Sequence, residues 1–315
     1  MTEQRAPSNS FEWPSRDGIR QSQMTEKTKN KNVALVLSSG GARGLAHIGA
    51  IEELKSRGYT ISSIAGCSMG ALVGGVYAAG KLEEFREWMK TIDKKKMLEL
   101  TDFSLSLNHL VKGKRIIDAI MEFVPDINIE DLPLPYCAVA TDIKAGKEVV
   151  FTKGSLFEAI RASISIPSFY EPVQRDGMVL IDGGILNPIP FNRVKRHAGD
   201  IMVGVDVSGC DYKSQWEEMH QLITGWQKDG HSLKAKILDK IIPDDLEFNY
   251  FSLLARASSL MIRQNSILMT KLMKPDMLVD IQMNRYGIFD FDKSEKIIAI
   301  GRQKASQTLS KYELP

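Results

Sequence analysis

Gly58-Tyr-Thr-Ile-Ser-Ser-Ile-Ala-Gly-Cys-Ser-Met-Gly-Ala-Leu-Val-Gly-Gly-Val-Tyr-Ala-Ala-Gly80 lies between Arg57 and Lys81 and carries no charge. It is long enough to cross a bilayer. Gly66, Gly70 and Gly74 even repeat the spacing of packed membrane helices. Yet six strongly apolar side chains (Ile61, Ile64, Met69, Leu72, Val73 and Val76) stand against six glycines. That many bare peptide groups gain little in lipid. The first part, Tyr59 to Ile64, has the β-branched character of a strand. The stretch reads as a buried strand, a tight turn at Gly66–Gly70 and a helix to about Ala79, with a membrane span as the rival reading.

The same unit stands just upstream. Val33-Ala-Leu-Val-Leu37 is a continuous apolar run, as in a strand buried on both faces. A small-residue turn, Ser38-Ser-Gly-Gly-Ala-Arg-Gly44, follows it, and then Leu45, Ile48, Ile51 and Leu54 recur as a helical stripe. Further strands are expected at Tyr136–Ala140, Glu148–Thr152, Met178–Ile181 and Ile201–Val207, with a helix over Gly154–Ser163. Strand and helix alternating over about 180 residues mean an α/β sheet with helices on both faces. Residues 212–272 read as mostly helical with a break at Pro243. Their apolar positions 253, 254, 257, 260, 261, 267, 268 and 272 form one broad face. That face suits a helix packed on the sheet, or a lid or membrane-facing helix. A strand at Met277–Ile281 and a helix from Lys293 to about Leu309 close the chain.

Composition excludes several classes. The chain has 315 residues, 43% hydrophobic and 25% charged, as in ordinary globular proteins. Forty-one basic residues nearly cancel 39 acidic ones, for a net charge of +2, which argues against a nucleic-acid binder. Cys67, Cys137 and Cys210 are scattered and odd in number, so neither a disulfide framework nor a zinc site is expected. Residues 1–32 are polar, without the apolar core of a signal peptide, and are expected to be a mobile tail on a single domain spanning 33–315. A cytoplasmic location follows, with transient membrane contact through Lys94-Lys-Lys96 or Lys112-x-Lys114-Arg115.

Chemistry concentrates at Gly66-Cys67-Ser68-Met69-Gly70, a G-x-S-x-G match. Such a turn needs glycines on either side because side chains there would collide with backbone. Ser68 would stand at a helix N-terminus, where amides favour developing negative charge. Gly40, Gly41, Ala42, Arg43 and Gly44 can offer successive N–H groups as an oxyanion hole. The competing reading of that loop, a nucleotide cradle, lacks the first glycine of the dinucleotide fingerprint and an acidic residue about 20 positions on. Of five histidines, His47, His109, His197, His220 and His231, none carries the signature of a base. Asp182-Gly183-Gly184 does better. The aspartate should project at the end of Met178–Ile181, where parallel sheets gather their chemistry, and the two glycines permit close approach to the serine turn.

Together these segments resemble the patatin-like phospholipase family. The elements stand in family order as Ser39-Gly-Gly-Ala-Arg-Gly44, Gly66-Cys-Ser-Met-Gly70 and Asp182-Gly-Gly184. Supporting similarity over roughly residues 33–208 includes Gly44-Leu-Ala-His-Ile-Gly49, Ala140-Thr-Asp142 and Ala159-Ile-Arg-Ala-Ser-Ile-Ser-Ile-Pro167. The chain is most similar to a bacterial branch related to neuropathy-target-esterase lysophospholipases. The resemblance implies a three-layer α/β/α sandwich on a mostly parallel sheet. It also implies an acyl hydrolase with a Ser68–Asp182 dyad that cleaves fatty-acyl esters of phospholipids or lysophospholipids through an acyl-enzyme. The amides of Gly40, Gly41, Ala42 and Met69 would hold the oxyanion, with no cofactor and no metal. A lipid-binding or regulatory protein of the same fold with little turnover is the alternative. Two positions depart from the family pattern. Ser39 replaces the first loop glycine, and Cys67 stands where threonine is common, a thiol expected to be open to oxidation or alkylation.

Overall fold

The computed structural model describes residues 31–100, 114–167, 170–209, 250–282, 286–287 and 289–314. Residues 1–30 of the tail expected over 1–32, residues 212–249 of the expected helical segment, and His109, His220, His231 and Cys210 lie outside the described residues. Lys31 and Asn32 belong to the sheet rather than to a tail, the Lys31 carbonyl accepting the Thr60 amide at 2.7 Å and Asn32 starting the first strand.

The sheet is built around β1 (Asn32–Leu37), which pairs in parallel with β2 (Thr60–Cys67) on one side and β7 (Ile201–Asp206) on the other. The parallel run continues to β3 (Tyr136–Asp142) beyond β2 and to β8 (Met277–Asp280) beyond β7. Three antiparallel strands complete the eight: β4 (Lys147–Phe151) and β6 (Met178–Asp182) both pair with β3, and β5 (Val173–Arg175) pairs with β6. The sheet is therefore mixed, with mostly parallel strands, and helices flank it.

The unbroken apolar run of β1 is what a two-sided core demands. Val33, Leu35 and Leu37 point into one core, shared with α1 (Ala46–Ser56), α2 (Met69–Ala78), α6 (Leu156–Ser163) and α8 (Ser294–Glu313). The stripe Leu45, Ile48, Ile51 and Leu54 is fully buried there. Ala34 and Val36 point into a smaller core with Ile189, Phe191 and Met202, on which Met269 and Met273 of α7 (Tyr250–Met273) pack. Each fully buried Leu or Ile stabilises the fold by about 1.5–3 kcal/mol relative to exposure. The uncharged stretch Gly58–Gly80 is the end of one turn, β2, the serine turn and α2. No helix among the described residues is long and apolar enough to cross a membrane.

Two expectations change. Asp182 does end a strand, but that strand runs antiparallel to β3 rather than with the parallel set. The cause is a hairpin. Asp176 and Gly177, at φ 49° and 77°, reverse β5 into β6, and two positive φ values are what a tight two-residue hairpin turn requires. The second change concerns α7: of its two readings, packing of the broad apolar face on the sheet does not hold, because Leu260, Met261, Leu268 and Leu272 are exposed. Its sheet-facing side instead carries Arg263 and Ser266, which donate to Oδ2 of Asp206 at 3.0 and 2.5 Å. A buried carboxylate at the end of β7 demands donors, and that demand sets the helix rotation. The chain also forms α3 (Leu82–Lys90), α4 (Lys94–Leu100) and α5 (Lys114–Met121) between β2 and β3, a region for which the sequence pattern gave no assignment.

Candidate active site

Ser68 occupies the single residue between β2 and α2. It has φ 53° and ψ −124°, a left-handed backbone that a residue with a Cβ adopts at about 1–3 kcal/mol of strain. The surroundings hold it there. A Cβ on Gly66 would lie 2.4 Å from the carbonyl oxygen of Gly70 and 2.6 Å from Cα of Ala71, and one on Gly70 would lie 2.3 Å from the carbonyl oxygen of Leu37. The turn is thus pressed against its own helix and against the end of β1, and only glycine fits at either position.

The opposing carboxylate arrives through the register of β3. Cys67, the last residue of β2, faces Val139, and Asp182, the last residue of β6, faces Ala140. Since β4 covers Ala138–Asp142 on the other edge, β6 takes over the edge of β3 at the point where β2 leaves it. The two strand ends therefore meet head to head. Gly183 makes the meeting possible, for a Cβ there would stand 2.3 Å from the carbonyl oxygen of Val139.

The Ser68 hydroxyl donates to Oδ2 of Asp182 at 2.5 Å, and the Gly184 amide donates to Oδ1 at 2.7 Å. Both side chains are buried. Burial pushes the Asp182 carboxyl up to about 6, against the two donors, which pull it down. The carboxylate is still mainly ionised at neutral pH, and more basic than an ordinary aspartate.

The glycine loop lies beside this pair. The Ser38 and Ser39 amides donate to the carbonyls of Val205 and Pro188 at 3.1 and 2.8 Å, which fixes the entry to the loop. Arg43 folds back, its Nε donating to the Gly40 carbonyl at 3.2 Å. Gly44 packs so tightly on Met69 that a Cβ would come within 2.4 Å of Cγ of Met69. Gly41 and Ala42 open a short 3-10 helix and Met69 opens α2. Amides at a helix start have no intrahelical acceptor, and Gly41, Ser68 and Met69 line one cleft. His47 sits under the loop. Nε2 lies 2.9 Å from the Ser38 carbonyl oxygen, and full burial lowers the imidazole to about 4, so it is neutral. His197 is exposed, its amide donating to Asp200 at 2.7 Å.

The cleft is lined almost wholly by apolar side chains. Its inner wall is Leu72, Ile164 and Ile166, and its far wall comes from Phe85 and Met89 of α3 and Ile116 and Ile120 of α5. These wall residues carry no motif. Their one signal is the apolar side of α3 and α5, which sequence alone cannot assign to a cleft rather than a core. Ser163 was also missed as a site residue. Its hydroxyl accepts the Ser68 amide at 2.9 Å and donates to the Val139 carbonyl at 2.6 Å. Cys67 departs from expectation. It is fully buried, and desolvation raises its thiol well above the usual value, so it is shielded from oxidants and alkylating agents.

Known proteins are similar to this chain over part or most of its length. An NTE family protein of Mycobacterium tuberculosis, described as uncharacterized, is 48% identical over 184 residues, covering 58% of this chain and 51% of that protein. Neuropathy target esterase sws of Drosophila melanogaster is 32% identical over 187 residues, covering 57% of this chain and 13% of the fly protein. The chain thus spans about half the length of the mycobacterial relative and a small part of the fly one. Among solved structures, VipD from Legionella pneumophila aligns with a TM-score of 0.47 at 14% identity, covering 90% of this chain and 67% of that one. The family model described as patatin-like phospholipase matches residues 35–194, just over half of the chain, and the chain belongs to that family.

Proposed function

We propose that this protein is a serine acyl hydrolase acting on fatty-acyl esters of phospholipids or lysophospholipids. The observation that carries the reading is the 2.5 Å hydrogen bond from Ser68 to Asp182 at the mouth of an apolar cleft. In the first step Asp182 takes the Ser68 proton while Oγ bonds to the ester carbonyl carbon. The carbonyl oxygen becomes an oxyanion facing the amides of Gly40, Gly41, Ala42 and Met69. Each such donor supplies about 3 kcal/mol of transition-state stabilisation. Collapse breaks the ester C–O bond, and the leaving alcohol takes the proton from Asp182. Water then attacks the acyl-enzyme with Asp182 as base again, releasing the fatty acid and restoring Ser68.

An unbranched acyl chain suits a cleft walled by Leu72, Phe85, Met89, Ile116 and Ile120. The helix α4 lends further support, since Met97 and Leu100 line the cleft while Lys95 is 85% exposed. An exposed lysine on the helix that lines the cleft favours transient contact with an anionic lipid surface, although Glu99 lies 4.0 Å from it. The test is covalent labelling of wild type and Ser68→Ala with a fluorophosphonate, paired with fatty-acid release from lysophosphatidylcholine. Labelling and release in wild type, both lost in Ser68→Ala, are expected. Release by Ser68→Ala at the wild-type rate would sink the assignment.

A further inference from the structure

Where β3 passes from its pairing with β2 at Val139 to its pairing with β6 at Ala140, one link of the ladder is made by a side chain, the hydroxyl of Ser163. Cys67 still pairs with Val139, but the next amide, that of Ser68, has turned away from the sheet. A hydroxyl is inserted between them. The Ser163 Oγ accepts from the Ser68 amide at 2.9 Å and donates to the Val139 carbonyl at 2.6 Å, so one side chain satisfies both backbone groups. Ser163 is fully buried, so the two backbone groups it joins are cut off from bulk solvent. Two residues on, the Ser165 carbonyl accepts the Asp182 amide at 2.9 Å. Ser163-Ile164-Ser165 therefore grips the backbone of both dyad members from one short segment at the end of α6. Ile164, between the two grips, lines the cleft.

We propose that Ser163 is a positioning residue for Ser68: its hydroxyl holds the strained serine turn at the spacing from Asp182 that proton transfer needs. This rests on Ser68 being the nucleophile, as argued above. Ser68 sits in a backbone conformation it does not favour; its carbonyl is engaged by Ala71 and Leu72 of its own helix, and its amide is the backbone group held from another segment. With the amide engaged by Ser163, Ser68 contributes only its hydroxyl to the chemistry, and the oxyanion donors come from Gly40–Ala42 and Met69. Loss of the Ser163 hydroxyl leaves a buried N–H and a buried carbonyl without partners and lets the turn relax. Displacement of a reacting atom by about 1 Å lowers rate on the order of a hundredfold.

The experiment compares wild type, Ser68→Ala, Ser163→Ala and Ser163→Cys for fluorophosphonate labelling rate, and for kcat and KM on p-nitrophenyl acetate and decanoate, with melting temperature recorded for each. Ser163→Ala is expected to lower labelling and kcat roughly tenfold to a hundredfold, by the same factor on both esters, with KM within about twofold. Ser163→Cys keeps the volume with a weaker acceptor and should fall between Ala and wild type, which preserves the test if Ser163→Ala fails to fold. Wild-type labelling in folded Ser163→Ala or Ser163→Cys would overturn the positioning role. So would a loss confined to decanoate, which would make Ser163 part of the cleft wall. Activity surviving in Ser68→Ala would instead overturn the nucleophile assignment, so the two failures are distinguishable.

Discussion

Asp182 offers Ser68 only one of its two carboxylate oxygens: Oδ2 takes the hydroxyl at 2.5 Å, while Oδ1 is held by the Gly184 amide at 2.7 Å. The carboxylate cannot rotate away without losing a charge-assisted hydrogen bond of about 1.5–3 kcal/mol. Its burial raises the carboxyl to about 6. A base must be deprotonated, so kcat/KM should fall about tenfold per pH unit below that value and level off above it. A pH–rate profile on a soluble short-chain ester checks this, and a midpoint near 4 would contradict the burial argument.

The same shift has the opposite sign for stability. Between the ordinary aspartate value of 3.8 and about 6, the folded protein holds a proton that the unfolded chain has released. Stability therefore decreases as pH rises through that window, by roughly 3 kcal/mol in total. Asp182→Asn should be inactive yet melt at a higher temperature than wild type at pH 7.5, with the difference vanishing near pH 4. Calorimetry at the two pH values decides it.

Gly70→Ala places a methyl group 2.3 Å from the Leu37 carbonyl oxygen, backbone that cannot step aside. The end of β1 and the serine turn must separate. Esterase activity should drop roughly a hundredfold or more, with a melting temperature lowered as well. Gly146→Ala, at a β-turn with open space around it, is the control for a glycine whose loss strains only the backbone, and it should keep most activity.

Cys67 neighbours Ser68 in sequence but not in reactivity. Its buried thiol, and that of Cys137, raised to about 12, should resist iodoacetamide in the folded protein and react once it is unfolded. Peptide mapping after native-state alkylation reads this residue by residue. Rapid native labelling of Cys67 would show that the turn opens.

Ile116 stands on α5 at the far wall of the cleft. Ile116→Trp should shorten the usable cleft by two or three methylenes, each worth about 0.8 kcal/mol of burial. The ratio of kcat/KM for decanoyl over butyryl ester should fall roughly tenfold or more, with butyryl turnover nearly unchanged. Equal losses on both esters would place the acyl chain elsewhere.

Much of this architecture was legible in the chain because its decisive signals are local. The apolar run at Val33–Leu37, the alternation after it and the three glycine-bearing turns each report their own geometry. The hairpin at Asp176-Gly177 was not read from the sequence, although an Asp-Gly pair favours such a turn, and it explains why Asp182 approaches from the opposite direction. What the sequence hides is non-local. Nothing near Ser163 announces that a helix-terminal hydroxyl makes one link of the ladder on β3. The rotation of α7 follows contacts with Asp206, more than 50 residues away, so its hydrophobic pattern alone could not say which face meets the sheet. The helices α3 and α5 each have a clear apolar side, but nothing in the sequence says whether that side serves a cleft or a core.

One strand indexes the whole site. Ser68 and Asp182 are 114 positions apart along the chain, yet their distance is set by a single step on β3, from Val139 to Ala140. The strand behaves as a gauge block against which two independently delivered ends are stopped. The segments feeding those ends can therefore be lengthened, shortened or exchanged without moving the chemistry, and the substrate cleft, built from α3–α5, is free to diverge. A one-residue insertion between Val139 and Ala140 has no such licence, since it would part the two ends and turn every later side chain of β3 to the opposite face.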